Sequence, residues 1–348
     1  MQLDLFAELG NESEPPAVPP TFQSRPNATP PATKAAPTPE SRRSLPQFAV
    51  HRSDGPTFGE AIADAWHRAH GGSRMEIPVG VVAALALWPI RDYPRDLAQF
   101  FNRLDGQQIV QCVREAAAYH WMRRPDLIGV AHTIFSWADQ DDHTKHELHA
   151  IREVARAAIR HNVLDHTGSS DPYDNADIDL MSWTITNLRS RGATKGLGEY
   201  HTPPEITDMM SRLAGPDGGR GDVSAAWLFE DAKPGMSILD PCAGTGGMFR
   251  SSAQHLRYKG LDPADFTWFA QEIDPTAAAG CAVNMIVWGL GPMAMVACGD
   301  TLAEGDMWNR AVEHRREMEE RRDRMAGAAA MAAAIEGAQR LLSTAEAA

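Results

Sequence analysis

The sequence predicts an α/β protein, with a helical domain followed by a short parallel sheet, an extended linker in front and a charged helix behind. Three observations carry this. Ten of the 24 prolines fall between Pro15 and Pro46, among Ser, Thr, Ala and Glu. From 57 to 190, apolar residues recur at helical spacing. From about 196, short apolar runs alternate with helix-length segments, the pattern of β-α-β units.

Taken in order, residues 1–8 form a short apolar peptide and 9–56 a linker. The linker's composition cannot bury enough apolar surface to offset chain entropy, so it is expected to be disordered. Residues 57–190 are the helical domain. Within it, Thr144-Lys-His-Glu147 has capping-box spacing, and Ile151, Val154, Ala155, Ala158 and Ile159 follow on one helical face. Leu97, Phe100, Phe101 and Leu104 predict a further helix just after Pro94. Residues 191–303 hold three strand-like runs, at Met236–Leu239, Phe266–Ala270 and Met293–Cys298. Residues 304–348 read as a charged, alanine-rich helix; its stretch 313–324 carries five acids and five bases, expected to form a solvated face.

Composition narrows the function. With 43% apolar residues the 348-residue chain can bury a sizeable core. Its net charge of −13 excludes a chain-wide basic footprint, so any nucleic-acid contact must be local or assisted. The four cysteines, at 112, 242, 281 and 298, show no C-x-x-C spacing, which argues against a disulfide scaffold or a zinc ribbon. The segment Asp141–His149 is rich in His, but its H-E-L-H falls one residue short of H-E-x-x-H, so no metal site is expected. The opening residues lack a basic and then apolar leader, and the longest apolar run, Val79–Ile90, is too short to span a bilayer. The expectation is a soluble, cytoplasmic protein without membrane contact.

The segment Ser237–Phe249, SILDPCAGTGGMF, carries the chemistry. A strand ends at Asp240, and a loop with Gly244, Gly246 and Gly247 leads into a helix. Glycines let a ligand touch the backbone, and helix-start N–H groups face that ligand. Glu272 closes the second strand 32 residues after Asp240, and Asp300 closes the third 28 residues later. A β-α-β unit needs about 30 residues, so all three acids are expected at the carboxyl ends of adjacent strands, where open α/β sheets bind ligands. One such carboxylate can accept from ribose hydroxyls and another from an adenine amino group. The spacing suggests an adenosine-containing cofactor without choosing NAD over S-adenosylmethionine.

DPCAGTGG resembles motif I of N6-adenine DNA methyltransferases, especially the modification subunits of type I restriction systems; QEIDP resembles their second motif and GDTL their third. Upstream, Gly198–Glu205, GEYHTPPE, is similar to the segment that precedes motif I in that family. The resemblance covers about 195–302. It implies a partial Rossmann-like class I methyltransferase sheet, S-adenosylmethionine as cofactor, and DNA adenine N6 as methyl acceptor. It implies that Thr202 and Pro203 lie against the methionine portion of the cofactor, as do Asp240, Gly244 and Gly246, with Pro241 in the same set. It assigns Glu272 to the ribose and Asp300 to the adenine. Asp274 reads instead as a helix cap.

The family's catalytic (N/D)PP(F/Y) tetrapeptide, which holds the target amino group and stacks on the flipped base, occurs nowhere in the sequence. Asp171-Pro172-Tyr173 lacks the second proline and follows no predicted strand, so no catalytic residue is assigned. In the family's sheet a fourth strand pairs with the first. Its absence leaves that edge open, to be covered by the C-terminal helix, a second copy, or a second subunit carrying the missing catalytic half. The expected enzyme is an adenine-specific DNA methyltransferase dependent on such a partner. The alternative is a catalytically inactive S-adenosylmethionine-binding protein recruited to DNA, and a third reading is a fragment of a longer gene.

Gln2-Leu3-Asp4-Leu5-Phe6 resembles the peptide by which bacterial proteins bind the DNA polymerase sliding clamp. In that reading Leu5 and Phe6 fill an apolar pocket and Gln2 bonds at its rim, with Leu3 in the same peptide set. A bacterial sliding clamp is then a partner, and the tether supplies DNA proximity without a basic patch.

Overall fold

The computed structural model describes residues 54–88, 97–192 and 232–346. Among the described residues eight α-helices precede the strands: α1 (Asp54–Ala69), α2 (Glu76–Ala86), α3 (Leu97–Arg103), α4 (Gly106–Trp121), α5 (Pro125–Phe135), α6 (Lys145–Arg160), α7 (Val163–Thr167) and α8 (Leu180–Gly192). The strand-bearing part follows as β1 (Ser237–Asp240), α9 (Gly247–Tyr258), β2 (Thr267–Glu272), α10 (Pro275–Val287), β3 (Ala294–Cys298), α11 (Thr301–Glu304) and α12 (Trp308–Glu346). The first helix starts at Asp54, inside the segment that composition assigns to the linker, and the last starts at Trp308 rather than 304.

The local signals act as expected. Thr144 Oγ1 accepts the Glu147 N–H at 3.1 Å while Glu147 Oε2 accepts the Thr144 N–H at 3.0 Å, which closes the capping box of α6. A second box, Asp105 with Gln108, starts α4. The longest apolar run of the sequence begins inside α2, which is buried from Ile77 to Ala86 and is therefore apolar all round. Among the described residues no helix is long and apolar enough to cross a membrane.

The described strands form one parallel sheet in the order β1-β2-β3. Each strand starts and ends within two residues of its expected run. The register places Leu239, Phe269 and Met295 in one row and Ile238, Trp268 and Ala294 in the next. Because successive side chains alternate faces, the two rows look opposite ways. Trp268 and Ala294 are fully buried. On the other face Phe269, Met295 and Ala297 form a cluster with Met307, Trp308 and Ala311 at the start of α12. The C-terminal helix thus lies over β2, β3 and α5, where His314 Nε2 bonds the Asp126 carbonyl at 3.1 Å. It is not the cover of the first strand: Leu239 remains 56% exposed. The charge run behaves as a solvated face, with Arg316 paired to Glu313 and Glu320 on the same helix.

The helical and strand-bearing parts pack together within one compact unit, 47–348, with α5 and α8 against α10. Arg124, just before α5, pairs with Asp126 and donates to the carbonyls of Gly291 and Ala294 at the start of β3.

Candidate functional site

The carboxyl ends of the three strands converge, and hydrogen bonds join them. Asp240 ends β1, and its Oδ1 accepts the Cys242 N–H at 3.1 Å. Glu272 ends β2; its Oε2 accepts the Gly244 N–H at 2.7 Å and its Oε1 the Asp274 N–H at 2.9 Å. The acid on the second strand therefore holds the glycine loop that follows the first. Asp300 lies just after β3, and its Oδ1 accepts from Leu302 N at 2.9 Å and Ala303 N at 3.2 Å, capping α11. Next to it, Thr301 Oγ1 donates to the Pro241 carbonyl at 2.8 Å, which ties the third strand end to the first.

The loop's backbone needs its glycines. Gly244 and Gly246 have φ of +55° and +91°, a region that costs a side-chain-bearing residue about 1–2 kcal/mol. A Cβ on Gly246 would also meet Cys281 Sγ at 3.2 Å and the Trp288 ring at 3.3 Å. The turn is thus pressed onto α10, and α9 starts immediately after it.

The electrostatics are those of a crowded anionic edge. Burial pushes the Asp240 carboxyl up, its bond from the Cys242 N–H pulls it back, and the Glu272 charge adds to the rise. Burial first, then the charges of Asp240, Asp179 and Glu272, raise the Cys281 thiol well above its ordinary value. Burial also raises the Cys298 thiol. Neither is a thiolate at neutral pH, so neither suits a nucleophilic role. Among the described residues no group of three or more His, Cys, Asp or Glu could hold a metal ion.

The structure brings Asp240, Pro241, Gly244, Gly246, Glu272 and Asp300 to this one edge. Asp274 caps α10 through Thr276 and Ala277 and pairs with Arg189 of α8. Asp171-Pro172-Tyr173 precedes a single 3-10 turn, Asp174–Ala176, and follows no strand. Thr202, Pro203 and the peptide residues Gln2, Leu3, Leu5 and Phe6 lie outside the described residues.

Residues 179–319 match the family model described as N-6 DNA Methylase. Over those residues the chain is similar to the N-6 DNA methylase family. The methylase subunit of the type I restriction enzyme MjaIX from Methanocaldococcus jannaschii is 27% identical over 92 residues, 26% of this chain and 13% of that protein. A solved type I restriction-modification methyltransferase subunit from Streptococcus thermophilus aligns at 15% identity with a TM-score of 0.37, over 72% of this chain and 60% of that one. The matched part therefore spans about an eighth of the curated relative's length.

Within the matched segment, sequence reasoning missed one group. Asp179, Thr245 and Asn284 are almost fully buried and bonded to one another. Thr245 sits between the glycines and Asp179 precedes a helix, but their bond spans 66 positions and no local pattern announces it.

Proposed function

We propose that the strand-end site binds S-adenosylmethionine and that the protein takes part in methyl transfer to adenine N6 in DNA, with the catalytic tetrapeptide supplied by another chain. The observation that carries this reading is the junction of all three strand ends: Glu272 on the Gly244 N–H at 2.7 Å and Thr301 on the Pro241 carbonyl at 2.8 Å. The donor set fits the cofactor. The Glu272 charge adds to the rise that burial gives the Asp240 carboxyl, an arrangement eased by a cation and aggravated by a pyrophosphate. This favours a sulfonium over a dinucleotide.

In this reading Glu272 accepts from the ribose hydroxyls with the capacity its two N–H bonds leave, since a carboxylate offers about four acceptor sites. Asp300, whose Oδ1 takes both cap bonds, turns its other oxygen to the adenine amino group. Asp240, Pro241, Gly244 and Gly246 line the methionine portion, joined by Thr202 and Pro203. S-adenosylmethionine supplies an activated methyl group. The loop's role is to hold that end fixed and to bring backbone, rather than side chains, against it.

The need for a second chain is supported by two facts. No (N/D)PP(F/Y) tetrapeptide occurs in the sequence, and among the described residues no strand pairs with the outer edge of β1. The type I methylase relative is itself named as a subunit. The experiment is calorimetry of the full chain with S-adenosylmethionine and its demethylated product. Labelled-methyl transfer to DNA follows, with and without the product of an adjacent reading frame that encodes a strand followed by NPPF or DPPY. Binding by the chain alone and transfer only with the partner are expected; absence of heat with both compounds overturns the reading.

The second reading is an inactive cofactor-binding protein carried to DNA by a bacterial sliding clamp, favoured by the QLDLF segment at 2–6. Cofactor binding without transfer in every mixture, together with clamp binding by peptide 1–10 that Leu5→Ala with Phe6→Ala abolishes, selects it.

A further inference from the structure

We infer that Asp179 is a positioning residue for the glycine loop, so that the helical part of the protein sets the affinity of the cofactor pocket. The inference rests on the reading of that pocket given above.

Asp179 lies at the head of α8 and is 1% exposed. Three donors converge on its carboxylate. Oδ1 accepts from Ser182 N at 2.9 Å and from Asn284 Nδ2 at 2.9 Å, and Oδ2 accepts from Thr245 Oγ1 at 2.8 Å. The first bond caps α8; the other two reach α10 and the loop. The Asn284 amide also donates to the Thr245 carbonyl at 2.9 Å, so both of its hydrogens are committed and its orientation is forced, because a flipped amide would face two acceptors. Thr245 is thereby gripped at both ends, by its hydroxyl and by its carbonyl.

Its position gives the grip a purpose. Thr245 stands between Gly244, whose N–H meets Glu272, and Gly246, whose φ of +91° turns the chain into α9. A Cβ on Gly280 of α10 would meet Thr245 Cγ2 at 3.2 Å and Ile185 Cδ1 at 3.3 Å, so loop, α8 and α10 have closed to contact there. Arg250 of α9 braces the same segment by donating to the carbonyls of Ala176 and Asp177 at 3.0 and 3.1 Å. A carboxylate at this depth is a poor choice for stability alone, since an apolar group of similar volume often does as well or better. What a carboxylate adds is two oxygens that fix two donors on two other elements.

The test uses the full chain, with S-adenosylhomocysteine binding by calorimetry and hydrogen exchange of peptides covering 241–249. Thr245→Val keeps the shape and removes the hydroxyl; Asp179→Asn keeps the shape and removes one acceptor; Thr245→Ser restores the hydroxyl. Trp66→Phe, a buried site in the helical part whose indole N–H bonds the Gly72 carbonyl, is the stability control. Thr245→Val and Asp179→Asn are expected to weaken binding about ten-fold, or about 1.4 kcal/mol, and to speed loop exchange by a similar factor. Thr245→Ser is expected to recover both, and Trp66→Phe to lower the melting midpoint while moving neither. Wild-type affinity and loop exchange in folded Thr245→Val overturn the inference, as does an equal response in Trp66→Phe. If the wild-type chain binds no S-adenosylhomocysteine, the pocket reading fails separately, and loop exchange alone decides the positioning role.

Discussion

The two outer strands of the sheet are treated in opposite ways. At β3, Arg124 donates to the Ala294 carbonyl and Arg310 Nη2 to the Cys298 carbonyl at 2.8 Å, so guanidinium groups occupy groups that a neighbouring strand would otherwise use. The row Phe269–Met295 beside it is sealed by Met307, Trp308 and Ala311. At β1 the same row continues into Leu239, and among the described residues neither helix nor strand completes it: Leu239 is 56% exposed where Phe269 is 3%. Parallel sheets are normally covered on both faces. The difference teaches that, among the described residues, this sheet is finished over β3 and open over β1, and that the open side borders the glycine loop.

The sharpest way to break that comparison is a pair of truncations in one register row. Phe269→Ala should cost about 3–5 kcal/mol by denaturant unfolding, because it empties a packed space. Leu239→Ala, on the open side, should stay within about 0.5 kcal/mol. Equal costs would mean that β1 is covered after all. A partner that completes the sheet should reverse the second result, making Leu239→Ala weaken association while the isolated chain keeps its midpoint.

Next in size is Arg124→Ala. Its ion pair with Asp126 is largely buried, with side-chain exposures of 17% and 5%. Removing the guanidinium strands the carboxylate and frees two carbonyls at β3, an expected loss of about 3–5 kcal/mol. A loss confined to the surface-pair range, below about 1 kcal/mol, would show that the sealed edge does not depend on this residue.

Gly246→Ala tests the open side at the loop. The positive φ alone should cost about 1–2 kcal/mol, and cofactor binding should fall further than stability does, because the loop must shift from Cys281 and Trp288. Calorimetry beside thermal melts separates the two effects.

The last test is a pH dependence on α9, the helix after β1. Burial, with a minor contribution from Lys259, lowers His255 to about 4 from 6.5. The folded state binds this proton less readily than the unfolded one, so the His255 contribution is complete above about pH 6.5 and declines as pH falls from there toward 4. His255→Gln should flatten that part of the stability profile; an unchanged slope would assign the acid loss to other groups.

Much of this was legible in the chain itself. Apolar runs bounded by turn residues located the three strands to within two residues. The Thr144–Glu147 spacing gave the start of α6, and the intervals from Asp240 to Glu272 to Asp300 foretold that three acids share one edge. Each of these depends on interactions within a turn, a helix or one β-α-β unit, where sequence distance and spatial distance run together. The destination of α12 was not legible, since its residues suit a solvated helix wherever it docks, and Trp308 finds Phe269 only once the sheet exists.

The sequence by itself determined the strands, the glycine loop and the spacing of the three strand-end acids. Tertiary structure alone decided which edge is sealed by arginines and that Asp179 reaches 66 positions to Thr245 and 105 to Asn284. The physical reason is the same in both cases. A buried polar group must find its partners wherever packing brings them, and that choice leaves no periodic trace along the chain.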